Sequence, residues 1–223
     1  MITVYHAISS TIETQISLKD LLINLPAHFR ERALRYQFSQ DAYNFVLGRL
    51  MIKKALGALG LPEKLLNEIV YNKEGKPLMK EMSFSISHSK DLVACAFAPT
   101  GQIGLDVEYP RKIARAHFRH CFNDREWASI QGDTSMHTFY QFWTQKEAIL
   151  KANGAGLGQL LNIDIKDATT AYFYNSDIST ESVWNLNTFE IGGSSAYACL
   201  CTDLATDFAL ENLNDVDALL DTK

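Results

Sequence analysis

The chain has 223 residues, of which 47% are hydrophobic and 21% charged, with 12 Gly and 5 Pro. This composition is typical of a folded globular protein and excludes a mainly disordered or collagen-like chain. The formal net charge of −5 makes the surface repel phosphate backbones, so we expect no nucleic-acid partner. No segment approaches the roughly 18 apolar residues of a membrane span. We expect a soluble cytoplasmic protein without a membrane partner.

The first half of the chain predicts strands and helices in mixed order. Alternating apolar residues indicate strands, apolar residues at helical spacing indicate helices, and Ser39 is a candidate N-cap that divides the longest helical block. In chain order we predict a strand over 2–8, a short helix over 17–25, a helical block over 29–59, a strand over 68–72, a turn over 74–77 and a hairpin over 84–88 and 92–98.

The second half repeats the order of strand, helices and strands. We predict a strand over 103–109, helices over 113–121, 124–130 and 136–152, and strands over 171–174, 183–191 and 196–201. The fold class is therefore α+β, with two similar halves, 1–101 and 102–223, each with a small antiparallel sheet packed on helices. We expect a ligand cleft between the halves, where such sites commonly lie. The four cysteines lack C-x-x-C spacing and predict small buried thiols in a reducing compartment.

Two carboxylates lie on the predicted strand over 103–109. The side-chain period of a strand is two, so Asp106 and Glu108 share one face while Leu105 and Val107 point to the other. Two acids on one face suit a hard divalent cation with oxygen ligands. A solvated face of an antiparallel strand is the alternative, and the Asp-x-Glu pattern alone favours that alternative.

The predicted helix over 136–152 carries an acid and a base on one stripe. Trp143, Glu147 and Lys151 follow at intervals of four residues. An ordinary surface Glu-Lys pair is the alternative, but the Trp on the same stripe places the pair at the edge of a buried region.

A histidine and serines lie along the predicted strand over 84–88 and at its end. Ser85, Ser87 and Ser89 face one side, and His88 the other. Hydroxyls and an imidazole at a strand end suit a phosphate. A serine nucleophile is less favoured, because Ser87 and His88 point to opposite faces.

Taken together, four motifs in this order resemble those of the surfactin-type 4′-phosphopantetheinyl transferases, and the resemblance spans most of the chain. They are Gly75-Lys76-Pro77, FSISHS over 84–89, IGLDVE over 103–108, and WTQKEAILK over 143–151 followed by GAGL over 154–157.

The resemblance implies a pseudo-dimeric fold with coenzyme A between two halves, and holo-carrier-protein synthase activity. The enzyme would move the 4′-phosphopantetheine arm of coenzyme A to a serine of an acyl or peptidyl carrier protein and release adenosine 3′,5′-bisphosphate. A monomer is expected from the chain length. The pathway served is not predicted.

The resemblance also implies roles for particular residues. The metal ligands, for Mg²⁺ or alternatively Mn²⁺, are Asp106, Glu108 and Glu147. The residues that bind coenzyme A are Arg32, Lys76, Ser87, His88, Asp106 and Lys151, and the catalytic residues are Glu147 and Lys151. Glu147 is the expected general base, either directly or through a metal-bound water.

Two departures and two alternative functions remain. Ser85 replaces the family's usual Asn, and Lys90 stands where Gly is common. The alternatives are an inactive homologue that binds carrier proteins and a metal-dependent phosphohydrolase. Because carrier proteins are acidic around their serine, we expect a basic and apolar docking surface after the acidic strand. Its candidate residues are Arg111, Lys112, Arg115, Phe118, Arg119 and Phe122.

Overall fold

The computed structural model describes residues 1–175, 180–191 and 195–221. The strands, numbered in chain order, are β1 (Ile2–Ile8), β2 (Val70–Tyr71), β3 (Pro77–Leu78), β4 (Ser83–Ser89), β5 (Leu92–Ala98), β6 (Ile103–Glu108), β7 (Ile163–Ile165), β8 (Thr170–Asn175), β9 (Thr180–Glu190), β10 (Tyr197–Thr202) and β11 (Phe208–Asn212). The α-helices are α1 (Ser9–Glu13), α2 (Leu18–Leu22), α3 (Ala27–Ala33), α4 (Ser39–Ala58), α5 (Asp124–Gly132), α6 (His137–Asn153) and α7 (Val216–Leu220). Short 3₁₀ helices cover Glu63–Glu68, Arg115–Cys121 and Leu157–Asn162.

The chain forms two compact units. Unit 1 is Met1–Thr100 with Thr206–Lys223, and unit 2 is Gly101–Ala205. The division at Gly101 falls beside the predicted seam, but the last segment of the chain belongs to unit 1 and not to the second half as we expected. The reason is strand pairing, since β11 lies parallel to β1 and the N–H of Leu213 donates to the carbonyl of His6 at 2.8 Å.

Unit 1 packs helices on a sheet of strand order β11-β1-β5-β4. Apart from the parallel β1–β11 pair, the strands are antiparallel. The predicted hairpin is present as β4 and β5, and its two-residue turn holds Lys90 at a φ of 52°. Helix α4 packs on β5 with apolar residues such as Val46 and Leu50, which are buried together with Val93 of the strand.

Unit 2 packs α6 across β6 and β10 of an antiparallel sheet of strand order β6-β10-β9-β8-β7. Alternating residues of the strands and apolar residues of α6, such as Ala148 and Ile149, fill its core. The helix ends as predicted, because Gly154 takes the left-handed conformation at a φ of 67° and its N–H bonds to the carbonyls of Leu150 and Lys151. The predicted α+β class is confirmed.

Some predicted elements differ in detail. Ser39 is the first residue of α4, and its hydroxyl donates to Glu13 at 3.0 Å instead of capping the helix. The predicted strand over 68–72 is the end of a 3₁₀ helix followed by the two-residue β2, and the predicted helix over 113–121 is 3₁₀. The cysteines are free and buried, as predicted. Among the described helices, none has the length and apolar character to cross a bilayer.

Candidate active site

Helix α6 lies directly on the face of β6 that carries the acidic residues. Gly104, Asp106 and Glu108 share this face because side chains alternate along a strand. A methyl group on Gly104 would stand 1.9 Å from the carbonyl oxygen of Ala148 and 2.4 Å from the amide nitrogen of Ala152, both in α6. The absence of a side chain at Gly104 therefore lets the helix backbone approach the strand, and Asp106, which is 2% exposed, lies under the helix.

A lysine of α6 reaches the buried acid of β6. The Nζ of Lys151 donates to Oδ1 of Asp106 at 2.7 Å, and the Lys151 side chain is 30% exposed. Charge-assisted bonds of this length are among the strong ones in proteins. Lys151 thus pairs across the helix-strand interface and not only along its own helix, and the interface is partly open to solvent at this point.

Glu147 lies one helical turn before Lys151 and is half-buried. Burial, and then the nearby carboxylates of Asp106 and Glu108, raise the pKa of Glu147 to about 7, while the Lys151 ammonium opposes the rise. Ionised carboxylates that are close together in a poorly solvated place destabilise one another. Unit 2 therefore gathers all four of its predicted site residues, Asp106, Glu108, Glu147 and Lys151.

The donor chemistry of this cluster suits a hard divalent cation. Carboxylate oxygens are the ligands that Mg²⁺ and Mn²⁺ prefer, and a cation would relieve the repulsion that raises the pKa of Glu147. Within the described ranges, however, no three acidic, histidine or cysteine side chains stand in position to hold a metal ion. One carboxylate oxygen of Asp106 already accepts a hydrogen bond from Lys151. The metal site remains a proposal.

Trp143 is the first residue of the same stripe of α6 and is partly buried in an aromatic cluster. Its indole packs edge-on against Phe118, with ring centroids 5.4 Å apart, and stacks on Phe139 at 6.0 Å. The sequence interpretation that the stripe borders a buried region is confirmed.

The predicted docking surface needs correction. Phe122 is 1% exposed and belongs to the core, so it cannot contact a partner. Arg115 donates to the carbonyls of Ile130 and Asp133, each at 2.6 Å, and Arg119 bonds to the Phe122 carbonyl at 2.7 Å. These two arginines hold the local structure, and a charge reversal there would test folding more than docking.

In unit 1, Ser87 and His88 lie near the end of β4. Ser87 is buried and His88 is exposed, in keeping with the predicted alternation of faces. Lys76 lies in the turn before β3, where its backbone N–H donates to the Asn72 side chain at 2.8 Å.

Two arginines of unit 1 lie against aromatic rings. The guanidinium of Arg32 is 5.0 Å from the ring centroid of Phe45, and its Nη1 donates to the Tyr71 hydroxyl at 3.3 Å. Arg49 lies 4.0 Å from the same ring. Burial lowers the pKa of Arg49, so this guanidinium is not an ordinary solvated charge.

Sequence reasoning also missed Lys146, the residue before Glu147. Lys146 and Glu126 are both fully buried, and their side chains pair at 2.8 Å. A lysine side chain in a helix is usually exposed to solvent, and no pattern in the sequence marks this one as buried.

Comparison with known proteins identifies the family. The chain matches the model of the 4′-phosphopantetheinyl transferase superfamily over residues 102–202. It is also 30% identical over 185 residues to the 4′-phosphopantetheinyl transferase HetI of Nostoc sp., covering 78% of this chain and 77% of HetI. The chain belongs to the 4′-phosphopantetheinyl transferase superfamily. The family resemblance of the four motifs is confirmed.

Two further relatives show the spread of this transferase family. The 4′-phosphopantetheinyl transferase gsp of Aneurinibacillus migulanus is 28% identical over 191 residues, with 81% of this chain and 77% of gsp covered. The L-aminoadipate-semialdehyde dehydrogenase-phosphopantetheinyl transferase of Pongo abelii is 31% identical over 159 residues, with 61% of this chain and 51% of the relative covered. The residues matched by the family model include all four of the clustered side chains in the transferase's unit 2.

Proposed function

We propose that the transferase moves the 4′-phosphopantetheine arm of coenzyme A to a serine of an apo acyl or peptidyl carrier protein. The serine oxygen attacks the phosphorus that bears the pantetheine arm, and the bond from that phosphorus to the bridging pyrophosphate oxygen breaks. Adenosine 3′,5′-bisphosphate leaves with the electron pair of that bond. The serine loses its proton in the same step, so the site has to supply a base and positive charge.

The side chains of unit 2 meet these needs. Asp106, Glu108 and Glu147 would hold Mg²⁺, which supplies charge neutralisation to the pyrophosphate when bound. The ammonium of Lys151, 2.7 Å from Asp106, adds positive charge for the same anion.

Glu147 is the proposed general base. In the metal-free protein, burial and the neighbouring acids raise the pKa of Glu147 to about 7, so this carboxylate is more basic than an ordinary glutamate. Its half-buried position leaves it accessible to an incoming serine hydroxyl.

Residues of unit 1 are assigned to binding coenzyme A. The exposed imidazole of His88 and the hydroxyl of Ser87 suit phosphate oxygens. Arg32 and Lys76 supply cations, and Arg32 is steadied by Phe45 and Tyr71. A guanidinium held against aromatic rings loses less conformational entropy when it binds a phosphate.

One observation carries this proposal: in a member of this family, Asp106 and Lys151 pair under α6 beside Glu147 and Glu108. The test is to incubate the protein with coenzyme A, Mg²⁺ and several apo carrier proteins, and to weigh each carrier by mass spectrometry. We expect one carrier to gain the mass of a single phosphopantetheinyl group. A carrier whose acceptor serine is replaced by alanine is the control.

The same experiment separates the alternatives. An inactive carrier-binding homologue would bind an apo carrier without changing its mass. A phosphohydrolase would release adenosine phosphates from coenzyme A at the same rate without any carrier. Either result would contradict the proposed transfer.

A further inference from the structure

A buried lysine of unit 2, Lys146, makes several bonds outside the proposed site. Its Nζ donates to the carbonyls of Leu160 at 3.0 Å, Cys121 at 3.2 Å and Ile163 at 3.4 Å, and pairs with Oε2 of Glu126 at 2.8 Å. These partners belong to two 3₁₀ helices, the start of β7 and the first turn of α5. One ammonium thus joins α6 to four other segments.

The carboxylate partner is itself tied to the backbone. Oε2 of Glu126 accepts from the N–H of Asn123 at 3.0 Å, and the N–H of Glu126 donates to the Asn123 side chain at 2.9 Å. This reciprocal capping box fixes the start of α5. Lys146 is therefore bonded to a rigid partner and not to a mobile surface acid.

Stability alone does not account for this arrangement. A buried ion pair recovers little more than its desolvation cost, and well-packed apolar residues are often as stable in its place. What such a pair adds is a defined geometry, because each bond is directional. Here the geometry belongs to the helix that carries Glu147 and Lys151.

We propose that Lys146 is a positioning residue, whose bonds fix the rotation of α6 about its axis and thereby hold the Glu147 carboxylate beside β6. Glu147 is the next residue along the helix, so any rotation that Lys146 permits moves Glu147 directly. A side chain reaches about 5–6 Å from the helix axis, so a rotation of about 10° displaces it by about 1 Å. A misplacement of about 1 Å can cost about 100-fold in rate.

The inference rests on the proposed transfer reaction for its kinetic readout. The test compares wild type, Lys146→Met and the double variant Lys146→Met/Glu126→Gln. Met keeps most of the length of the lysine side chain and removes the ammonium. The single variant leaves the Glu126 carboxylate without this cation. Gln at position 126 removes that charge, and its side-chain oxygen can still accept from the N–H of Asn123. Lys166→Met, at an exposed lysine of the same unit, is the matched control.

We expect Lys146→Met to lower both the melting temperature and kcat. The double variant regains most of the melting temperature because no unpaired charge remains buried, but its kcat stays about 100-fold below wild type while the KM for coenzyme A changes less than about threefold. Lys166→Met behaves like wild type. A double variant with wild-type kcat would overturn the inference. If Lys146→Met does not fold, the double variant carries the test.

Hydrogen exchange supplies a readout that needs no transfer activity. Amides of α6 should exchange faster in the double variant than in wild type, because the helix has lost its bonds to its neighbours. Unchanged exchange over His137–Asn153 would contradict the inference even if kcat falls. If the wild type transfers nothing to any carrier, the proposed function fails, and the exchange result still decides whether Lys146 holds α6.

Discussion

In each unit a long helix packs on a small sheet at a glycine. The two glycines differ in the atoms that an added methyl group would approach. In unit 1, a methyl group on Gly48 of α4 would stand 3.1 Å from a side-chain methyl of Ile86 in β4. In unit 2, a methyl group on Gly104 of β6 would stand 1.9 Å from the backbone carbonyl of Ala148 in α6. A side chain can rotate away, whereas a helix backbone cannot move without moving everything it carries.

The difference continues in the chemistry of the two interfaces. The described buried residues of α4 are apolar except for Asn44 and the hydroxyl of Tyr43. Helix α6 buries Thr144, Gln145 and Lys146, and its Lys151 is bonded to Asp106. Apolar packing tolerates small shifts, whereas charged bonds and backbone contact specify one position. Helix α6, which bears the proposed reactive residues, is therefore held in a more closely defined position than α4.

The largest effect is expected from Gly104→Ala. The added methyl group cannot fit beside the Ala148 carbonyl, so α6 must move off β6 and the acids lose their register. We expect destabilisation by about 3 kcal/mol or more and loss of transfer activity. Chemical denaturation and a transfer assay measure the two. Wild-type values for both would refute the close helix-strand contact.

Lys151→Ala should come next. It removes the partner of a carboxylate that is almost completely buried and the cation proposed to face the pyrophosphate. We expect kcat to fall about 10- to 100-fold, with the rate measured at saturating coenzyme A. The control in unit 1 is Lys53→Ala, which breaks a pair to the exposed Glu63 at 2.9 Å and should leave kcat unchanged. Equal losses of kcat in Lys151→Ala and Lys53→Ala would contradict a special role for the lysine of unit 2.

Glu147→Gln should change how the stability of the metal-free protein depends on pH. The folded protein raises the pKa of Glu147 from its ordinary 4.5 to about 7. Below pH 4.5 the carboxyl is protonated in both folded and unfolded states, so it imposes no penalty. As pH rises through 7 the folded state must ionise it, and stability is lost.

We therefore expect Glu147→Gln to be more stable than wild type at pH 8, by about 1–3 kcal/mol, and the gap to close near pH 4. Denaturant titrations across this range measure it. Glu68→Gln, at an exposed position of unit 1, should show no such gap. Parallel stability curves for wild type and Glu147→Gln would show that burial and the neighbouring acids do not raise the pKa of Glu147.

Gly48→Ala should have the smallest effect. Alanine gains up to about 1 kcal/mol over glycine within a helix, and this gain offsets the displacement of the Ile86 methyl. We expect the free energy of unfolding to stay within about 1 kcal/mol of wild type, with transfer activity unchanged. A loss as large as that of Gly104→Ala would mean that the two glycine contacts are equivalent.

The sequence predicts the main elements and the membership of the acidic cluster. Alternation over 103–108 places Asp106 and Glu108 on one face, and the spacing of Glu147 and Lys151 places them on one stripe. These are local periodicities, so they can be read without the fold. The resemblance in motif order then joins the strand and the helix, and the structure brings them together in unit 2.

What could not be predicted depends on contacts between distant segments. The pairing of β11 with β1 is set by which strand edge is available, and 206 residues separate its first pair, Ile2 and Phe208. Lys146 is buried because carbonyls of three segments converge on it, which no local pattern encodes. The basic residues near Phe122 predict an exposed position for it, but its ring packs on Trp127 and Phe139 in the core.

If acids of β6 and α6 serve phosphopantetheinyl transfer with a divalent cation, as we propose, the transfer rate must depend on both. The most direct measurement is the rate of holo-carrier formation by wild type and Asp106→Ala, after removal of divalent ions by chelation and then across a titration of Mg²⁺. We expect no transfer by chelated wild type, full recovery with Mg²⁺, and little transfer by Asp106→Ala at any Mg²⁺ concentration. A wild-type rate that survives chelation, or an Asp106→Ala rate equal to that of wild type, would contradict it.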